Sequence, residues 1–87
     1  MIQEAIHRIR QMEQYLDTLR EAMNASPHGF LEDDALREML SVLTRYYEDG
    51  LWLQDYALDE KGLLPQDLKR GVLAEDTFYN FLDEVRS

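Results

Sequence analysis

Residues 2–24 read IQEAIHRIRQMEQYLDTLREAMN, and their spacing decides the class of fold. Ile2, Ile9, Leu16 and Met23 recur every seven residues, Met12 and Leu19 fill the alternate core position, and Ile6 broadens the row. An α-helix returns to one face every three to four residues, so this row predicts a helix laid lengthwise against another apolar surface. Glu4, Arg8, Asp17, Arg20 and Glu21 fall on the remaining faces, where charge meets water. Nothing interrupts the pattern before Asn24, and Ser26-Pro27-His28-Gly29 then supplies a stop. The first helix is therefore expected over about residues 2–24, some ~35 Å long at ~1.5 Å per residue.

Working outward, a second helix is expected to begin near Leu31 to Asp33, with Glu32, Asp33 and Asp34 in its first turn, where the helix dipole favours negative charge. Leu36, Met39, Leu40, Leu43, Tyr46 and Tyr47 follow at three- and four-residue steps, and Gly50 is placed to end the helix in a left-handed conformation. Two long helices joined by a short loop predict an antiparallel hairpin. Residues 51–60 can form two or three further turns closed by Gly62. A short helix is expected from Pro65 to Arg70, ended by Gly71, and a last one from Glu75 to about Arg86. No strand candidate survives. The expected fold is all-α: a long antiparallel helical hairpin with two or three short C-terminal helices packed across one end. It forms one domain of residues 1–87, with helix one and its loop in 1–30, helix two in 31–50 and the short helices in 51–87.

The composition narrows function by exclusion. A chain of 87 residues that is 45% hydrophobic and 31% charged is too apolar for disorder and too short for two cores. The absence of cysteine removes disulfides, thiolate metal sites and cysteine nucleophiles, and it fits a reducing, cytoplasmic setting. Glu4, Arg8 and Arg10 interrupt any signal-peptide core, and no apolar run approaches a membrane span. The formal net charge is −9, and residues 31–60 hold nine acidic side chains against Arg37 and Arg45. Such a field repels phosphate backbones, so neither direct nucleic-acid binding nor membrane binding is expected.

The second half carries a denser pattern. Tyr46-Tyr47, Gly50, Trp52, Asp55-Tyr56, Asp59-Glu60, Gly62, Leu64-Pro65, Asp67 through Leu73, Glu75-Asp76 and Tyr79-Asn80 together resemble the signature of a family of short bacterial proteins, domain of unknown function 4298. The resemblance is strongest over residues 46–80. It implies a bacterial or phage origin and an all-helical fold, and it brings no catalytic residues. Ala74 departs from that pattern, which places a serine there; a serine would cap the last helix, and its loss is worth about 0.5–2 kcal/mol locally.

The sequence offers few residues in a catalytic or metal-binding pattern. His7 and His28 stand too far apart in a hairpin to share a metal. Aligning Gly62 with the glycine of a calcium loop puts Ala57 and Leu68 where carboxylates are required. None of Ser26, Ser41 and Ser87 has a histidine beside it in sequence. Carboxylate pairs such as Asp55 with Asp59 share a helix face and could serve as an acid–base pair, but eighteen acids in 87 residues produce such pairs by chance. No cofactor and no metal are expected.

The aromatic cluster of the second half is more informative. Its rings either join the short helices to the hairpin or project as anchors into a partner, with Trp52 and Tyr56 the first choices and Tyr47 and Asp55 beside them. Lys69 and Arg70, a basic pair in an acidic chain, either grip a partner's anion or pair with Asp67, Asp59 or Glu75, Arg70 being the structural member. The row on helix one serves as the hairpin's seam or joins two copies as a homodimer. The leading expectation is a non-catalytic interaction or regulatory module with a protein partner. The alternatives are an acidic mimic of nucleic acid that inhibits a DNA- or RNA-binding protein, and a small enzyme with an unrecognised acid–base site.

Overall fold

The computed structural model describes residues 2–86, Glu75 by its backbone only, and among them every regular element is helical. Helix α1 spans Ile2–Ala25. At ~1.5 Å per residue it is about 36 Å long, close to the molecule's longest dimension of 40 Å. Its apolar row is the spine of the core: Ile9, Leu16 and Leu19 are fully buried and Met12 nearly so. Every other helical element of the chain touches α1.

Helix α2 spans Asp34–Glu48, a later start than the sequence predicts. Residues Phe30–Glu32 form a single 3₁₀ turn that buries Phe30, so the chain is not yet α-helical there. Asp33 remains extended (φ −77°, ψ 122°), and its carboxylate accepts from the amides of Ala35 at 2.8 Å and Leu36 at 3.3 Å. It is the cap rather than part of the first turn, and it satisfies amides that have no partner within the helix.

Helix α3 spans Leu51–Glu60, and α4 spans Glu75–Arg86. Gly50 and Gly62, at φ 91° and 72°, adopt the left-handed conformation that a side chain would strain. At Gly62 the amides of Gly62 and Leu63 turn back to the carbonyls of Asp59 and Leu58, at 3.0 and 3.1 Å, which closes α3 in a Schellman motif.

The helix expected from Pro65 to Arg70 does not form. A helix there would send its carbonyls to amides four residues on. Instead the Arg70 guanidinium donates to the carbonyls of Pro65 at 2.7 Å, Leu68 at 2.9 Å, Gln66 at 3.3 Å and Leu64 at 3.5 Å. Leu64 and Leu68 are buried and pin the segment to the core as an ordered loop. One 3₁₀ turn, Gly71–Leu73, then leads into α4, so two short α-helices and a single turn follow α2. Val72, Leu73, Phe78 and Phe81 complete the core against the α1 row. Among the described residues, no helix is long and apolar enough to cross a membrane.

Candidate functional site

Val72 is the point on which the second half of the chain converges. Its amide donates to the Glu13 carboxylate of α1 at 2.9 Å. Its carbonyl accepts from the Trp52 indole at 2.9 Å and also from the Tyr47 hydroxyl. Side chains from α1, α2 and α3 thus satisfy both backbone groups of one residue in a turn that cannot satisfy them itself. Gly71 makes the approach possible: a Cβ there would meet the Glu13 carboxylate oxygens at 2.9 and 3.0 Å. Tyr47 also stacks on Phe78 of α4, with ring centroids 4.2 Å apart and planes at 7°. Burial pushes its phenol well above the usual tyrosine range, and the nearby charge of Glu13 adds to this.

A second polar cluster joins α1, α2 and α3. Asp55 is fully buried and receives the Arg8 guanidinium at 2.9 and 2.5 Å and the Tyr46 hydroxyl at 2.8 Å. Desolvation raises the Tyr46 phenol far above its ordinary range, and the Asp55 hydrogen bond and charge act in the same direction. The Arg8 guanidinium is held more firmly protonated, chiefly by its hydrogen bond to Asp55. Asp59, one turn along α3, pairs instead with Arg70 at 2.6 Å. The two carboxylates considered as an acid–base pair are each taken up by a separate arginine.

Residues 9–87 match the family described as Domain of unknown function (DUF4298). The chain belongs to that family. No curated protein and no solved structure matches it.

In this DUF4298 member, the residues that carried the sequence resemblance are largely those that close the fold. Of the six candidates for partner contact, Asp55 is wholly inside, so it has no surface to offer. Arg70 is spent on Asp59 and the loop carbonyls, and Tyr47 on Val72 and Phe78. Glu75, an acid expected near Lys69 and Arg70, has its side chain outside the described residues. Lys69 is exposed and lies 3.3 Å from Asp17 at the edge of a polar groove of about 330 Å³ between α1 and the 67–69 loop. Trp52 is half-buried and stacks on Tyr56, with centroids 5.1 Å apart. Tyr56 reaches the surface.

The DUF4298 fold brings Trp52 and Tyr56 together with two residues that the sequence reading did not select. Leu53 is 62% exposed and Tyr79 46%, the former beside Trp52 and the latter on α4. Two grooves share Trp52 and Leu53 as a common wall. One, of about 380 Å³, runs to Tyr56, Leu73, Ala74 and Asp76. The other, of about 310 Å³, runs to Tyr47, Glu48, Gly50 and Tyr79. A signal for Leu53 was present in Leu51-Trp52-Leu53: consecutive helical residues fan out by ~100° each, so all three cannot face one core. The buried acids Glu13 and Asp55 carried no such signal, because their partners lie 59 and 47 residues away.

Proposed function

We propose that the protein is a non-catalytic interaction module of a bacterial cytoplasm that docks a protein partner on the face formed by Leu53, Tyr56 and Tyr79. In this proposal α1 and α2 act as an antiparallel hairpin whose end is covered by the shorter elements, and the cysteine-free composition fits the setting. The carrying observation is the contrast in burial within one aromatic cluster. Tyr46, Tyr47 and Phe78 are used internally, whereas Leu53, Tyr79 and Tyr56 remain 62%, 46% and 36% exposed on adjoining grooves. Large apolar side chains grouped beside a concavity are the usual anchors of protein recognition.

Two rival readings have less support. Self-association through helix one was motivated by an apolar row too long for one partner helix, yet α1 already buries Ile9, Met12, Leu16 and Leu19 against its own chain. Nucleic-acid mimicry needs a ladder of available carboxylates. In residues 31–60, Asp33 caps α2, Asp34 pairs with Arg37, Glu38 with Arg45, Asp55 with Arg8 and Asp59 with Arg70. The test is a photoreactive phenylalanine analogue introduced in host cells in place of Leu53 or, on the exposed side of α1, in place of Gln3. A discrete adduct from position 53 alone is expected. No adduct at 53, or the same adduct from both positions, sinks the proposal.

A further inference from the structure

Resting on the docking face just proposed, we infer that its occupant is a basic amphipathic segment of a partner protein, with apolar side chains for the two grooves and Lys or Arg at their rims. Three observations lead there. The grooves of about 380 and 310 Å³ lie at the small end of ligand-pocket sizes, so they seat single large side chains better than a cofactor. Among the described residues that line them there is no basic side chain, and each groove has one acid: Asp76 in the first and Glu48 in the second. The three cations nearest in sequence to the lining residues are already committed, Arg45 to Glu38, Lys69 to Asp17 and Arg70 to Asp59, and Arg86 lies in an adjoining groove beyond Tyr79.

Charge complementarity selects the partner's sign and excludes a second copy as the natural occupant. Two copies would bring a formal −9 against −9, and a two-fold pairing of this face would oppose like acids. A basic segment instead gains Coulomb attraction at the rim, while its apolar side chains cover Leu53 and Tyr79.

Trp52 reports on the event, being the single tryptophan of the chain and a wall of both grooves. The probe is a tryptophan-free synthetic helix of about five turns, ~18 residues, with Leu and Phe on one face and Lys on the other. It is compared with its Lys→Glu counterpart and with a shuffled peptide of identical composition. The lysine helix is expected to bind saturably with a shift in Trp52 emission, weakening as salt is raised, while the other two peptides leave the emission unchanged. Leu53→Ser and Tyr79→Ser should each weaken binding by about tenfold, the loss of one anchor residue. Glu48→Lys, a change that suits the C-terminal end of α2, should weaken the lysine helix and admit the glutamate one; this arm does not depend on the serine variants keeping their fold. Equal binding of the shuffled or the glutamate peptide, or no binding of the lysine helix, overturns the inference. If position 53 still forms its adduct in cells, only the basic character of the partner is lost; if that adduct is absent, the docking face itself is lost.

Discussion

Helix α1 and the segment from residue 61 to residue 74 are held in place by opposite means. α1 satisfies its own backbone and contributes an apolar row, so its placement is spread over many weak contacts. The later segment has only one 3₁₀ turn, and side chains take six of its backbone polar groups. Arg70 gathers four carbonyls, Glu13 takes the Val72 amide, and Tyr47 with Trp52 takes the Val72 carbonyl. Irregular backbone inside a small protein is tolerated only where other groups satisfy it. Order in that segment therefore rests on a few strong contacts, each supplied from elsewhere, and single substitutions there should be felt more than in α1.

The largest effect is expected at the Arg8–Asp55–Tyr46 cluster. Arg8→Met keeps an aliphatic stem on α1 but leaves the fully buried Asp55 carboxylate with the Tyr46 hydroxyl alone. Removing one member of a buried pair costs about 3–5 kcal/mol. A domain of this size has a total stability of roughly 4–13 kcal/mol at ~0.05–0.15 kcal/mol per residue. Urea unfolding should show a variant near the edge of folding, and Arg8→Met combined with Asp55→Leu should recover part of the loss. A cost below about 1 kcal/mol, the scale of an exposed pair, would mean that the polar cluster is not buried in solution.

Gly71→Ala comes next and probes the clamp on Val72. The new methyl group meets the Glu13 carboxylate at 2.9 Å, and that carboxylate can yield only by leaving the Val72 amide. The expected cost is about 1–3 kcal/mol, the penalty for a buried donor left without its acceptor. In a Glu13→Ala background the three atoms nearest the new methyl group are gone, so the two substitutions should be strongly non-additive. Additive losses would show that the carboxylate is not what the glycine makes room for.

This contrast also explains what could be read from the sequence. The row in residues 2–24 is local and periodic, so α1 was legible almost to the residue, as were Gly50, Gly62 and the start of α4. The later segment was not. Pro65 and Gly71 resemble the two ends of a short helix, but Arg70 diverts the intervening carbonyls, and nothing within the segment announces that. Among the site residues, Trp52 and Tyr56 were legible as large rings in a motif. Leu53 and Tyr79 differ from buried neighbours only in direction, which depends on how α3 and α4 pack. Asp55 looked like a surface acid because charge on a short helix usually is; its partner sits on α1, outside any local pattern.

Alkaline pH tests the polar cluster with the sequence unchanged. The folded Tyr46 phenol has its pKa raised, so below the unfolded value of about 10 its contribution is intact. Above that, the unfolded chain releases a proton that the folded one keeps, and stability falls by about 1.4 kcal/mol per pH unit for each such tyrosine. Tyr47 shifts in the same direction. Urea midpoints should therefore drop between about pH 10 and 11, and less steeply in Tyr46→Phe. An alkaline limb that is the same in both proteins would place the Tyr46 hydroxyl in water.

The smallest effect is a gain, at the point where the loop gives way to α4. Ala74 is extended there (φ −82°, ψ 107°), the backbone shape of a capping residue, yet its side chain holds no oxygen. The Thr77 amide turns back to the Ala74 carbonyl at 3.0 Å, a main-chain contact in the position a side-chain cap would serve. Ala74→Ser fits this backbone without rearrangement and supplies the acceptor, so the midpoint of unfolding should rise by the equivalent of about 0.5–2 kcal/mol. That gain would extend the rule drawn from Val72 and Arg70: backbone groups in this half wait on side chains, and adding one helps. No gain would mean that the main chain already meets the need at this junction, and the difference between the two regions would end at residue 73.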